Sequence, residues 1–179
     1  MGVIAHVLAS DARLFGQLCR WRPPRWVRLW MLWATRLGDG WLWLLAAALL
    51  AGSGNRGLQV LFAGLVAAGL ANSLLIITKG RVRRARPCER ANPLCLDVAP
   101  LAWLPSDRFS FPSGHALNSF AVGSVLALAF PALALPLLAT SASVAASRVV
   151  LGLHWLSDVV AGALVGAMIG TGTWLLLVR

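Results

Sequence analysis

Charge is scarce in this chain. Only 12% of its residues are Asp, Glu, Lys or Arg, 59% are hydrophobic, and mean hydropathy is +0.75. A soluble globule of 179 residues would have nowhere to bury so much apolar surface, so the composition points to one polytopic membrane domain over residues 1–179. Cysteine is sparse as well. Cys19, Cys88 and Cys95 are too few for a disulfide scaffold and lack zinc-type spacing, and no metal cluster is visible, so neither a metal nor another cofactor is expected. Tyrosine is absent, whereas tryptophan occurs nine times. Met1 to Phe15 lacks the basic start and small-residue cleavage site of a cleaved signal peptide, so insertion is expected to rely on the spans. A net charge of +10 would suit nucleic acid, but no recognition-helix or stacking motif accompanies it. An anionic membrane surface or a phosphate-bearing substrate explains the basic residues better.

The expected fold is all-α: a transmembrane helical bundle of about five or six spans behind an N-terminal interfacial segment. Residues 1–25 hold an amphipathic stretch around Ala12 to Cys19, then Arg22-Pro23-Pro24-Arg25, where two prolines break a helix. This segment is predicted to lie on the membrane, with Trp21, Trp26, Trp30 and Trp33 at headgroup level; packing of these rings against neighbouring spans is the alternative. Trp41 to Gly52 is too short to cross an apolar layer of about 30 Å at about 1.5 Å per residue. The first span therefore begins upstream, near Val27, and carries Arg36 and Asp39, which are three apart and read as a structural pair. Later spans are predicted over 57–78, 113–130, 131–149 and 154–178. Residues 80–111 form the one long polar connection, predicted to be an active-site loop. Its Arg81, Arg83, Arg84 and Arg90 read as a solvated run facing lipid headgroups, with substrate steering as the alternative. Gly162, Gly166 and Gly170 repeat every four residues, a spacing that lets helices approach closely within the chain or, alternatively, across a homodimer.

Ser147 to Asp158 stands out against this background, with an Arg, a His and an Asp within twelve residues. Ionisable groups within or beside spans are costly and mark candidate sites. His154 and Asp158 are four apart, so on a helix the carboxylate can hold one imidazole nitrogen. If the spans alternate, the end of the second, the start of the third, the end of the fourth and the start of the fifth share one face. Those points carry Lys79 with Arg86, Ser113 to His115, Ser147 with Arg148, and His154 with Asp158. His6 has no such company and reads as a surface residue.

Three sets follow in order: Lys79-x6-Arg86-Pro87, Pro112-Ser113-Gly114-His115, and Ser147-Arg148-x5-His154-x3-Asp158. Together they resemble the three-part signature of the type 2 phosphatidic acid phosphatase superfamily, which includes membrane lipid phosphatases, soluble acid phosphatases and vanadium haloperoxidases. The chemistry suits the residue types. A phosphoryl group carries about two negative charges that must be neutralised and held in line with a nucleophile. Lys79, Arg86 and Arg148 supply charge, Arg by a bidentate fork and Lys as a point charge. Ser113 and Gly114 open a helix whose free N–H groups bind anions, and glycine there lets phosphate approach. Ser147 either bonds phosphate or caps the fourth span. The resemblance implies that His154, oriented by Asp158, attacks phosphorus to give a phosphohistidine, while His115 protonates the departing oxygen and then activates water. Metal-independent hydrolysis is expected.

A site at the membrane boundary favours an amphiphilic substrate. Undecaprenyl diphosphate ranks first, ahead of phosphatidylglycerophosphate and phosphatidic acid, with the bilayer of a bacterial inner membrane as the setting. A non-catalytic lipid-phosphate binding or transport protein, or a phosphatase for a water-soluble monoester, are the alternatives. Of the sixteen basic residues only Arg56 and Arg179 lie opposite the site, which by the positive-inside rule would make its face cytoplasmic. The resembling lipid phosphatases, and a disulfide that Cys88 and Cys95 could form, favour the extracytoplasmic face instead.

Overall fold

Prolines and glycines cut the apolar chain into helices of membrane-scale length. The computed structural model describes residues 2–21, 23–87 and 109–179. Its helices are α1 (Val3–Trp21), α2 (Arg25–Arg36), α3 (Leu42–Ala51), α4 (Gly54–Val82), α5 (Gly114–Ala129), α6 (Ala134–Val150) and α7 (Leu156–Leu177). The only β feature among the described residues is an isolated bridge between Ala85 and Phe109. The all-α expectation holds, and Gly54–Val82, Pro131–Val150 and Leu156–Leu177 are long and apolar enough to cross a membrane.

Pro23 and Pro24 end α1, because proline lacks the N–H that would continue the helix. The expected amphipathic stretch is therefore a longer helix than Ala12 to Cys19. Past the prolines, α2 and α3 join through a widened π-type turn, Leu37–Trp41, in which Gly40 has φ +110°. Residues 25–51 thus form one kinked rod, consistent with a first span starting near Val27. Trp21, Trp26, Trp30 and Trp33 are each more than half exposed, which overturns the alternative that their rings pack against neighbouring spans.

At 16 residues, α5 is only about 24 Å long, yet it is the central helix. Leu117, Ala121 and Val125 are fully buried, as a helix apolar on all sides should be. Small residues bring its neighbours close. Ala63, Ala67 and Ala71 of α4 are completely buried in the same cluster. On α7, a Cβ at Gly162, Gly166 or Gly170 would fall 2.7, 2.2 and 2.2 Å from the carbonyl oxygens of Ser113, Leu117 and Ala121. The glycine stripe is therefore filled by α5 of the same chain. This corrects the homodimer expectation at Gly162, Gly166 and Gly170, since that face offers no room to a second copy.

Candidate active site

The site lies where the C-terminal ends of α4 and α6 meet the N-terminal ends of α5 and α7. Lys79 is in the last turn of α4, which closes on Arg83 in a left-handed conformation (φ 47°). The chain then turns back across the bundle end. Ser110 N–H donates to Arg84 O (2.8 Å), and Trp155 Nε1–H donates to Ala85 O (2.9 Å). Ser113 N–H donates to Asp158 O (3.1 Å), tying the start of α5 to the start of α7. The N–H groups of Leu153 and His154 both donate to Arg148 O at 3.0 Å, so the end of α6 fixes the His154 loop.

His154 is buried, with both ring nitrogens engaged. Nδ1 lies 2.7 Å from Ser110 O, a pure acceptor, so Nδ1 carries the proton and Nε2 carries the lone pair. Nε2 faces Arg86 Nη1 at 3.0 Å, and the same Nη1 donates to Leu153 O at 2.8 Å. Burial lowers the His154 pKa to about 4; Asp158 opposes the shift, and Arg86 and Arg148 reinforce it. The imidazole is thus neutral at physiological pH.

Asp158 does not hold His154 in the way its spacing suggested. Its Oδ2 is 3.8 Å from Nδ1, beyond hydrogen-bond reach, and accepts instead from Trp155 N–H at 2.9 Å, capping α7. Its Oδ1 accepts from Arg84 Nη1 at 2.6 Å. Asp158 therefore acts on His154 through charge and by fixing the loop, while the Ser110 carbonyl sets the tautomer. Arg84 likewise departs from the expected solvated run. It is largely buried, its Nη2 donates to Asp11 Oδ2 (2.7 Å), and its guanidinium lies over the Trp155 ring. Asp11 is 4% exposed and also accepts from Ser157 N–H and Oγ–H, so α1 is latched to α7 beside the site. Arg81 and Arg83 are exposed as expected. Arg90, Cys88, Cys95 and most of the 80–111 connection lie outside the described residues.

The second histidine, His115, opens α5, and its Nε2 is 2.9 Å from Asp39 Oδ1. The expected Arg36–Asp39 ion pair is present at the limit of its range, and His115 is a second, closer partner. Arg36 and Asp39 are 4.0 Å apart and well exposed. Arg148 is buried, donates to Thr35 Oγ1 at 2.5 Å, and exerts its charge on both histidines. The charge of Lys79 also reaches His115.

The phosphate-contact candidates divide. Ser113 Oγ is buried without a hydrogen-bond partner among the described residues and so can take one from an anion. Gly114 also lies against α4, where a Cβ would meet Leu75 Cδ2 at 2.8 Å. Ser147 is fully buried and donates to Val144 O at 2.6 Å, which commits its proton to its own helix. Asp11, Thr35 and Ser110 carry no expectation from sequence, whereas Asp39 and Arg84 are expected in other company. For Asp11 a signal existed, an acidic residue inside an otherwise apolar and basic helix.

Comparison with known proteins agrees with this picture. The chain is 38% identical over 127 residues to decaprenylphosphoryl-5-phosphoribose phosphatase of Mycolicibacterium smegmatis, covering 69% of this chain and 62% of that protein. It is 36% identical over 100 residues to lipid A 4'-phosphatase of Bacteroides thetaiotaomicron, covering 52% and 41%. The chain thus spans less than two thirds of the length of these relatives. Among solved structures, the phosphatidylglycerolphosphate phosphatase from Bacillus subtilis superposes with a TM-score of 0.72 at 25% identity, covering 94% of this chain and 84% of that one. Aquifex aeolicus LpxE superposes with a TM-score of 0.62 at 22% identity, over 90% and 93%, and shares the fold. The model of the PAP2 superfamily matches residues 57–179, which include all three motifs, and the chain belongs to that superfamily.

Proposed function

We propose that this chain is an integral membrane phosphatase that removes a phosphoryl group from a lipid phosphate or diphosphate through a phosphohistidine on His154. The observation that carries the reading is the contact of a buried, neutral His154 Nε2 with Arg86, beside the buried Arg148. A nucleophile and the cations for its substrate then share one enclosed end of the bundle. In the first step Nε2 bonds to phosphorus, the bond from phosphorus to the leaving oxygen breaks, and His115 gives that oxygen a proton. In the second, water bonds to phosphorus, the N–P bond breaks, and His115 takes back a proton as phosphate leaves. Arg86, Arg148 and Lys79 neutralise the phosphoryl oxygens, while Ser113 Oγ and the free N–H groups at the start of α5 hold them in line. Arg86 turns from Nε2 to phosphate as the substrate enters.

A polyprenyl substrate is favoured, with undecaprenyl diphosphate first, because a relative's name specifies a decaprenyl-linked phosphate and the site opens at the end of apolar spans. The same reading assigns the site to the extracytoplasmic face of a bacterial inner membrane. After treatment of intact cells with a membrane-impermeant reductant and its removal, a membrane-impermeant maleimide should then label Cys88; protection until lysis would reverse the face.

The activity is tested with purified protein on undecaprenyl diphosphate, phosphatidylglycerophosphate, phosphatidic acid and a water-soluble monoester, each with and without EDTA. Lipid hydrolysis unaffected by EDTA is expected. Metal dependence, or activity confined to the soluble ester, would contradict the reading. Lipid binding without turnover would favour a transport or binding role.

A further inference from the structure

The widened turn between α2 and α3 is built around His115. Residues Leu37-Gly38-Asp39-Gly40-Trp41 carry two glycines, and each has a separate structural reason. Gly40 has φ +110°, a conformation that side-chain-bearing residues rarely adopt, so the turn needs glycine there. Gly38 lies flat against the histidine: a Cβ on it would fall 2.7 Å from His115 Cδ2 and 2.6 Å from Val144 Cγ1. The turn thus removes bulk where the imidazole lies and presents a carboxylate where the ring ends. Asp39 Oδ1 meets Nε2 at 2.9 Å. Widened helical turns of this kind recur at functional sites, because they reposition side chains at a cost in helix regularity. Neither the Arg36 contact at 4.0 Å nor packing explains an exposed carboxylate held on this ring.

We propose that Asp39 is the positioning residue for the general acid and base of the proposed reaction, fixing His115 so that Nδ1 is the nitrogen that exchanges the proton. A carboxylate only accepts, so the Nε2 hydrogen is committed to Asp39, and the proton that His115 gives is a second one, taken up on Nδ1 from solvent together with the anionic substrate. In the first step the Nδ1 proton passes to the leaving oxygen as its bond to phosphorus breaks, and His115 becomes neutral. In the second step Nδ1 takes a proton from the attacking water, and the imidazolium that results keeps its Nε2–H on the Asp39 carboxylate. His154 and His115 are thereby oriented by different means: a backbone carbonyl on Nδ1 sets the tautomer of the nucleophile, and a carboxylate on Nε2 supports the charged form of the acid.

This inference rests on the phosphatase reading, and its test separates the two. Asp39→Ala and Asp39→Glu are compared in the wild-type and His115→Ala backgrounds. The substrates are two esters of the same chain length: an alkyl phosphate, whose alkoxide must be protonated, and a nitroaryl phosphate, whose anion leaves unaided. Asp39→Ala should lower kcat/KM for the alkyl ester about 10- to 100-fold and for the nitroaryl ester less than about threefold. Asp39→Glu should restore part of the loss. In the His115→Ala background the further loss should be under about twofold, because Asp39 acts through His115. Equal losses on both esters, or losses that add across the two backgrounds, would overturn the proposal. If wild-type protein hydrolyses neither ester, the phosphatase reading fails. The same four-variant cycle, read as affinity for inorganic vanadate, then still decides the positioning role, since additive losses there count against it.

Discussion

His154 Nε2 and Arg86 Nη1 lie 3.0 Å apart, so the lone pair that would attack phosphorus points at the guanidinium that would hold the phosphate. The same Nη1 is anchored on Leu153 O, one residue before the histidine. Nucleophile and clamp are therefore set by a single side chain. Arg86→Lys keeps the charge but loses the planar fork, and it should lower kcat/KM about 100- to 1000-fold on the preferred lipid. A loss under about threefold would show that charge alone suffices.

The neutrality of His154 has a consequence for stability. Its pKa is lowered from 6.5 to about 4 by burial, so the unfolded chain binds this proton more readily than the folded one. Protonation therefore favours unfolding. The contribution of His154 is fully present above about pH 6.5 and is lost as pH falls towards about 4, on the order of 3 kcal/mol in all. Thermal unfolding in detergent across that window should show a steeper acid loss for wild type than for His154→Gln. Parallel slopes would contradict the assignment.

Asp11 ties the N-terminal helix to the start of α7 through Arg84 and Ser157. Asp11→Asn leaves Arg84 with Asp158 as its acidic partner and should cost about 1–3 kcal/mol of stability, since breaking one contact of a buried ionic group exposes a desolvation penalty. Activity should fall with it, because Arg84 also positions Asp158. Unchanged melting would mean that the latch carries no weight.

Gly162 and Gly166 make a graded pair. An alanine methyl at Gly166 would meet the Leu117 carbonyl, and one at Gly162 would meet that of Ser113 at the mouth of the site. Both substitutions should destabilise by about 1–3 kcal/mol. Gly162→Ala should also depress turnover of the remaining folded protein, whereas Gly166→Ala should leave it nearly intact. The reverse order of effects on turnover would contradict the packing described.

Much of this was legible in the residues, for particular physical reasons. Apolar runs of membrane length gave the helices, and alternation of the spans brought Lys79, Arg86, His115, Arg148 and His154 towards one end. What escaped was pairing between groups distant in sequence. Spacing linked Asp158 to His154 and Asp39 to Arg36, because neighbours at three or four residues are the only partners that periodicity can reveal. The folded chain also turns Asp39 towards His115, 76 residues away, and Arg84 towards Asp158, 74 away. The Ser110 carbonyl was invisible for a further reason: a backbone acceptor has no residue signature. Gly114 matched a motif, and its contact with Leu75 of α4 is a packing feature that the motif does not show.

The most direct measurement is trapping of the phosphoenzyme. Purified protein is mixed with a lipid substrate labelled in its terminal phosphate, quenched in alkali within one turnover, and mapped by peptide sequencing. Label that survives alkali, is released by acid and resides on His154 is the expected result, and it should disappear in His154→Ala. Steady turnover with no labelled protein, or label on any other residue, would contradict the account.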